Sequence, residues 1–267
     1  MTWKFTLQEK KLPKLNKPIF IEGLPGMGNV GKVVVDFLVD DLKAKMLFDV
    51  FSFTMPHSVF VNDQNLVELP SIVVYYKKFN DPKKRDLLFL VGDVQPIDEQ
   101  SSYEFCDELL KMCKKFNCKE IITLGGIGLQ DVPKTPKVYC TGNNKKIIGK
   151  YTKDTKATDK IFGVVGPIVG VTGLLVGLAE REDIDAIALL AETIGHPMYL
   201  GVKGAREILK ILEKKLALKV NVKELDKEIK TLEKEMLKTT QELSDVSKDS
   251  AINKLKGKLN NETSYIG

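Results

Sequence analysis

The run Gly26-Met-Gly28-Asn29-Val-Gly31-Lys32 carries the strongest chemical suggestion in the chain. Its spacing fits GxGxxG and also GxxxxGK, directly after an apolar run that closes on Gly23. In a dinucleotide site such glycines let the backbone reach a pyrophosphate held at a helix N-terminus. A phosphate-binding loop, however, places Ser or Thr after the lysine to hold magnesium, and here Val33 follows. A dinucleotide fold also wants an acidic residue closing a second strand about 20 residues on. Asp49 stands near that distance but inside a run of Phe and Val. The reading these residues favour is a tight strand–helix turn with close packing, in which Lys32 is a solvated charge. Gly26, Gly28, Asn29 and Gly31 are the residues of the turn that would touch a ligand if one binds.

Other polar residues fall at strand ends, where open α/β sheets place ligand groups. Asp93 sits in Gly92-Asp-Val-Gln-Pro96, and Glu192, Thr193 and His196 sit in Ala191-Glu-Thr-Ile-Gly-His-Pro197. Each could line a cleft, and each could equally satisfy loop amides. His196 has no Ser or Cys nucleophile motif to serve, so a loop role is preferred. Gly125-Gly126-Ile-Gly128 adds a further glycine-marked strand end. There is no GxSxG, no HExxH and no compelling carboxylate pair. Cys106, Cys113, Cys118 and Cys140 show no CxxC spacing, and only His57 and His196 could join them, so neither a metal nor a cofactor is expected. Such thiols suit a reducing cytoplasm, with Cys106 and Cys113 on one buried helix face.

The elements that must position these residues follow from periodicity. Strand-like runs cover 18–23, 46–53, 58–61, 66–69, 72–76, 87–91, 120–124 and 184–191. The polar link Asn62-Asp-Gln-Asn65 joins two of them as a hairpin. Helical spacing covers 29–44, 103–116 and 172–179. Strands alternating with helices predict an α/β fold with a mixed, mostly parallel sheet covered on both faces. The run Ile161–Leu178 has 18 residues without a charge, but five glycines and Pro167 interrupt it. It reads as a buried glycine-rich loop leading into a packed helix, since a membrane span needs about 20 apolar residues.

The last quarter differs in character. Residues 1–202 carry 26 Lys/Arg against 25 Asp/Glu, whereas 203–267 carry 15 against 11. No clustered basic face emerges, which argues against nucleic acid. Ala205–Leu218 is amphipathic, and a second helix carries Leu225, Ile229, Leu232, Met236, Leu243 and Val246 near heptad spacing. That stripe needs a partner, either the preceding helix or a second copy of the chain. Three regions are expected: an α/β core over 1–203, amphipathic helices over 204–246, and a polar tail over 247–267. The N-terminus enters an alternating pattern directly, with no apolar signal region.

Gly23-Leu-Pro-Gly-Met-Gly-Asn-Val-Gly31, Gly92-Asp-Val-Gln-Pro96, Thr123-Leu-Gly-Gly126, Gly170-Val-Thr-Gly-Leu-Leu175 and Ala191-Glu-Thr193 occur in series. In order and spacing, over about residues 18–245, they resemble the proteasome assembly chaperone 2-like family of archaea. The resemblance implies a three-layer α/β/α core of the phosphorylase-like type, a C-terminal helical extension used in self-association, and binding to proteasome α-subunits or their ring. It also implies docking by a C-terminal hydrophobic–Tyr–any tripeptide. This chain ends Ser264-Tyr265-Ile266-Gly267, which sets the tyrosine one residue further from the terminus, about 3.3 Å in an extended chain.

The expected function is therefore a non-catalytic assembly chaperone, homo-oligomeric through Leu225, Ile229, Leu232 and Met236, with Tyr265, Ile266 and Gly267 as the partner-binding tail. Two alternatives stand beside it. One is a nucleotide- or phosphate-binding enzyme of ATP-grasp-like type that uses the Gly26–Lys32 loop. The other is an oligomeric scaffold only.

Overall fold

Short continuous apolar runs build the central strands here, and 3.6-residue spacing builds the helices. The computed structural model describes residues 3–131, 133–195 and 200–221. In chain order the elements are β1 (Trp3–Leu7), β2 (Ile19–Gly23), a 3-10 turn (Met27–Asn29), α1 (Val30–Asp41), β3 (Lys45–Ser52), β4 (Phe60–Val61), β5 (Val67–Glu68), β6 (Ile72–Lys77), β7 (Leu87–Gly92) and α2 (Glu99–Lys115). They continue with β8 (Glu120–Leu129), β9 (Val138–Gly142), α3 (Lys145–Thr152), β10 (Ala157–Thr158), α4 (Val171–Ala179), a 3-10 turn (Glu180–Glu182), β11 (Asp185–Ile194) and α5 (Val202–Leu216). His196, the stripe residues Leu225, Ile229, Leu232 and Met236, and the tail residues Tyr265, Ile266 and Gly267 lie outside the described residues.

Nine strands form one sheet in the order β1-β3-β6-β7-β2-β8-β11-β9-β10, and β4 pairs with β5 apart from it. The central four, β7, β2, β8 and β11, run parallel. The flanking pairs β1–β3, β3–β6, β6–β7 and β9–β11 are antiparallel, while β10 runs parallel to β9. The expected mixed sheet is present, with its parallel pairings confined to half of the total. The reason lies in the connections. β6 reaches β7 through one short loop, which permits antiparallel pairing, whereas the parallel centre is linked by helical crossovers.

Side chains alternate across this sheet. Phe20, Leu88, Leu90, Ile121, Ala186, Ala188 and Leu190 join Phe105, Cys106 and Leu109 of α2 and Leu175 of α4 in one buried cluster. Ile21, Phe89, Ile122, Ile187 and Leu189, one step out of phase, are equally buried but lie outside that cluster. α1 packs on β2, β7 and β8, and α5 packs on β11 and α1. The central strands are thus covered on both faces, as buried parallel strands require. All four cysteines are buried and free, with Cys106 and Cys113 on the core side of α2 as their spacing suggests.

Two features fix the helices and strands that bear the site. Asp98 caps α2 by accepting from the Ser101 amide at 2.8 Å, a contact worth about 1 kcal/mol. At the start of β8, Glu120 accepts from Arg85 at 2.5 Å, Lys150 at 2.6 Å and Tyr151 at 2.7 Å. Burial pushes the Glu120 carboxyl up, but these partners outweigh it and hold it below the ordinary range.

The glycine-rich run before α4 departs from expectation. Phe162 and Val169 are almost wholly exposed, and Val164 is about half exposed. Gly163 and Gly170 adopt φ of 78° and 83°, left-handed turns that bracket this segment. Ile161, Val165 and Ile168 alone of this stretch's large side chains lean on the core. α4 itself is packed, and no described helix is long and apolar enough to cross a membrane.

Candidate functional site

A cleft of about 1060 Å³ opens at the carboxyl ends of the central strands. Its walls are the β2–α1 turn, the Gln95–Ile97 segment after β7, the glycines of β8, and the loop Val164–Gly170 with the first turn of α4. Gln95 ties two of these walls together. Its amide nitrogen donates to the Pro25 carbonyl at 2.6 Å, and its oxygen accepts from the Val171 amide at 3.2 Å.

The turn's glycines divide into two kinds. Gly28 has φ 59°, and a Cβ there would stand 2.5 Å from Thr193 Oγ1. A Cβ on Gly31 would overlap the Leu124 carbonyl oxygen, so α1 can approach β8 only because that residue has no side chain. Packing thus accounts for both. Gly26 is different: it is extended at φ −161°, a Cβ on it would meet nothing, and it lines the cleft. Asn29 takes φ 50° at the entrance to α1 and its side chain makes no capping bond.

The polar strand ends are occupied by structure. Asp93 accepts from the Ser71 amide at 3.0 Å and the Ser71 hydroxyl at 2.7 Å. Lys32 reaches Asp36 at 3.1 Å and Asp93 at 3.7 Å, so it is an ion-pair partner rather than the solvated charge expected. Burial raises the Asp93 carboxyl, and Ser71 and Lys32 more than reverse this. Both ion pairs are partly exposed, and such pairs contribute about 0–1 kcal/mol. Lys32→Met is therefore expected to change the urea midpoint by an amount equivalent to no more than about 1 kcal/mol.

Glu192 is buried and turned away from the cleft. It accepts from the Lys137 amide at 2.8 Å and from the Tyr139 hydroxyl at 3.2 Å, which clamps the start of β9 to β11. Of the six candidate ligand contacts, Gly26 and Gly31 line the cleft, while Gly28, Asn29, Asp93 and Glu192 do not.

Glu22, which the reading of the sequence passed over, lies wholly buried at the end of β2. Its carboxylate accepts from the Leu24 amide at 2.8 Å and from Thr172 Oγ1 at 3.2 Å, across to the first turn of α4. Thr123 Oγ1 donates to the Thr172 carbonyl at 2.9 Å and extends this link to β8. Burial pushes the Glu22 carboxyl up to about 7, although those hydrogen bonds oppose the rise. The signal was present in the sequence: Glu22 is the one charge in an otherwise apolar strand. Among the described residues no group of three or more His, Cys, Asp or Glu side chains is placed to hold a metal ion.

Comparison with known proteins places this geometry. The chain is similar to Pyrococcus furiosus PbaB, an archaeal proteasome activator, at 30% identity and a TM-score of 0.79, over 90% of this chain and 99% of that one. It shares its fold with Pyrococcus furiosus PbaA, an archaeal homolog of proteasome-assembly chaperone, at 23% identity and a TM-score of 0.72, over 98% and 100% of the two chains. Protein MJ1210 of Methanocaldococcus jannaschii is 28% identical over 247 residues, 88% of this chain and 92% of its own. The PAC2 family model matches residues 20–240, and with that span covering the whole sheet from β2 onward, the chain belongs to the PAC2 family.

Proposed function

We propose that this chain is a non-catalytic proteasome-binding factor of the assembly-chaperone kind, which engages α-subunits or the α-ring. The observation that carries this reading is the likeness to an archaeal proteasome activator over nine-tenths of the chain. The site supports it as well. Asp93, Glu192 and Glu22, the carboxylates at the strand ends, are each engaged in holding loops or strands together. The cleft wall is built from glycine backbone and apolar side chains, with Gln95, Glu99, Ser102, Tyr103 and Thr172 among them, a mixed surface suited to docking.

In this reading the core layers are of the phosphorylase-like type, and the protein works in the cytoplasm as a homo-oligomer. The stripe Leu225, Ile229, Leu232 and Met236 serves self-association, and Tyr265, Ile266 and Gly267 serve as a tethered docking peptide.

The test is binding of the full chain to purified proteasome α-subunits at micromolar concentration. A complex is expected, weakened at least tenfold by deletion of Lys254–Gly267. Absence of binding by the full chain would remove the proteasome as partner. An intact complex after the deletion would move the contact to the body.

The competing nucleotide reading rests on Gly26, the turn glycine that packing leaves unexplained. A ligand present at 100 times its dissociation constant adds about 2.7 kcal/mol to stability. No thermal shift is expected with nucleotides, inorganic phosphate or purine nucleosides. A shift that Gly26→Val abolishes would favour the enzyme.

A further inference from the structure

β8 runs on past the end of its neighbour β2, and the step between them opens into the cleft. β2 pairs with β8 only from Ile19–Glu120 to Glu22–Thr123, whereas β11 pairs with it from Glu120 to Leu129. Beyond Thr123, one edge of β8 therefore has no strand beside it among the described residues. The Leu129 carbonyl accepts from the Gly195 amide at 3.1 Å, so the odd-numbered residues turn their N–H and C=O toward β11. The Leu124 amide turns the other way, onto the Glu22 carboxylate. Gly126 and Gly128 follow Leu124 in that alternation, and both line the cleft. No backbone bond from another described segment reaches them on that side. Two residues apart in a strand, they present their N–H and C=O groups at a repeat of about 6.6 Å along one line.

We propose that this edge receives an extended apolar segment of a partner polypeptide, which adds a strand to the sheet where β2 stops and pairs with the backbone of Gly126 and Gly128. The inference rests on the docking reading of the cleft and gives that reading its chemistry. Three observations define the occupant. First, an open strand edge is a template for another main chain, whose donors and acceptors repeat at the same spacing. Second, the walls beside the edge are apolar. Met27 of the turn, Ile97 of the segment after β7, and Val164 and Val169 of the facing loop each leave about half or more of their surface in water. In strand addition the main chain supplies affinity, and flanking surfaces of this kind select the alternate side chains. Third, the step lies inside the sheet, with five strands on one side of β8 and three on the other. A single extended chain can enter between the turn and the loop, whereas the broad surface of a second folded copy cannot.

The probe is a fluorescein-labelled peptide of alternating valine and threonine with lysine at each end, added to the full chain. Saturable binding at micromolar concentration is expected by fluorescence anisotropy. N-methylation of every amide in the peptide removes its donors and keeps its side chains, and is expected to weaken binding at least tenfold. Hydrogen exchange at the Gly126 and Gly128 amides is expected to slow at least tenfold in the complex. Ile97→Lys with Val169→Lys, at two exposed positions, is expected to weaken binding at least tenfold with the circular dichroism unchanged. A probe that does not bind, a methylated probe that binds as well, glycine amides that exchange as before, or a lysine variant of full affinity overturns the proposal. So does binding that emerges only after deletion of Lys254–Gly267, because the occupant is then the chain's own tail. The two readings fail separately: α-subunits that do not bind remove the proteasome and leave a bound probe in place, whereas an unbound probe removes the strand addition alone.

Discussion

Gly126→Val is expected to lower the unfolding free energy by about 3 kcal/mol, a large share of the 5–15 kcal/mol that holds a typical domain together. Intrinsic preference points the other way. Gly126 lies within β8, and valine outranks glycine in strands by up to about 1 kcal/mol. Packing decides the sign. A Cβ at 126 would overlap the carbonyl oxygen of Met27 and stand 2.8 Å from Thr193 Cγ2. The first obstacle is backbone in the turn that opens α1, so it cannot rotate aside as a long side chain could. Relief requires the turn to lift from β8, and with it the contacts of Gly28 with Thr193 and of Gly31 with Leu124. Gly26→Ala is the matched control, since its Cβ meets open space, and a change within about 0.5 kcal/mol is expected. Urea unfolding with an unchanged slope measures both. Equal midpoints for Gly126→Val and wild type would mean that the turn does not press on β8.

The same strand marks the boundary of what local sequence reveals. Glu-Ile-Ile-Thr-Leu at 120–124 declares a strand, and Gly125-Gly126 declares its end, yet β8 runs on to Leu129. The continuation is dictated by β11, which pairs with it in register from Glu120 to Leu129, and by the turn that needs bare backbone to sit on. Neither neighbour is close in sequence. α1 and α2 were legible because their burial repeats with the helical period, and β2 and β7 because strands buried on both faces read as short continuous apolar runs. β10 is two residues long and α3 only eight, so neither offers a period to read. β1 shows as alternation at the N-terminus, but its partner β3 lies about 40–50 residues on, from Leu7–Phe48 to Trp3–Ser52.

The site was legible to the same degree. That Asp93 and Glu192 stand at strand ends follows from the sequence. That Asp93 serves Ser71, and that Glu192 serves Lys137 and Tyr139, depends on which strands become neighbours. The helix spacing of α2 put Cys106 on a buried face, whereas nothing local announces that Glu22 lies beside it. Exposure of the 162–169 loop was obscured for a related reason. Apolar composition records what a segment can cover, and the covering surface need not belong to the same chain.

Glu22→Gln is expected to remove a pH dependence worth about 3 kcal/mol from the stability of the fold. Burial raises the Glu22 carboxyl from its ordinary 4.5 to about 7, so the folded chain holds this proton more tightly than the unfolded chain does. The sign follows from linkage: stability falls as pH rises wherever the folded state binds more protons. Below about pH 4.5 both states are protonated and the carboxyl costs nothing; the cost grows between there and about 7, then levels off. The uncharged form is favoured because the carboxyl is sealed under the cleft, with the Cys106 thiol beside it pushed upward by burial and by Glu22 itself. Amides of Leu24 and Leu124 and the Thr172 hydroxyl aim at the oxygens and limit the rise. Glutamine fills the same space and cannot ionise. Urea unfolding of both proteins at about pH 4.5, 6 and 8 reads the difference directly, since every other titrating group cancels between them. The variant should gain on wild type by about 3 kcal/mol across that range. Because Glu22 joins the end of β2 to the first turn of α4, the same titration acts on the link between two walls of the cleft. Parallel pH profiles for the two proteins would show that Glu22 is ionised in the fold, with water or a cation reaching it through the cleft floor.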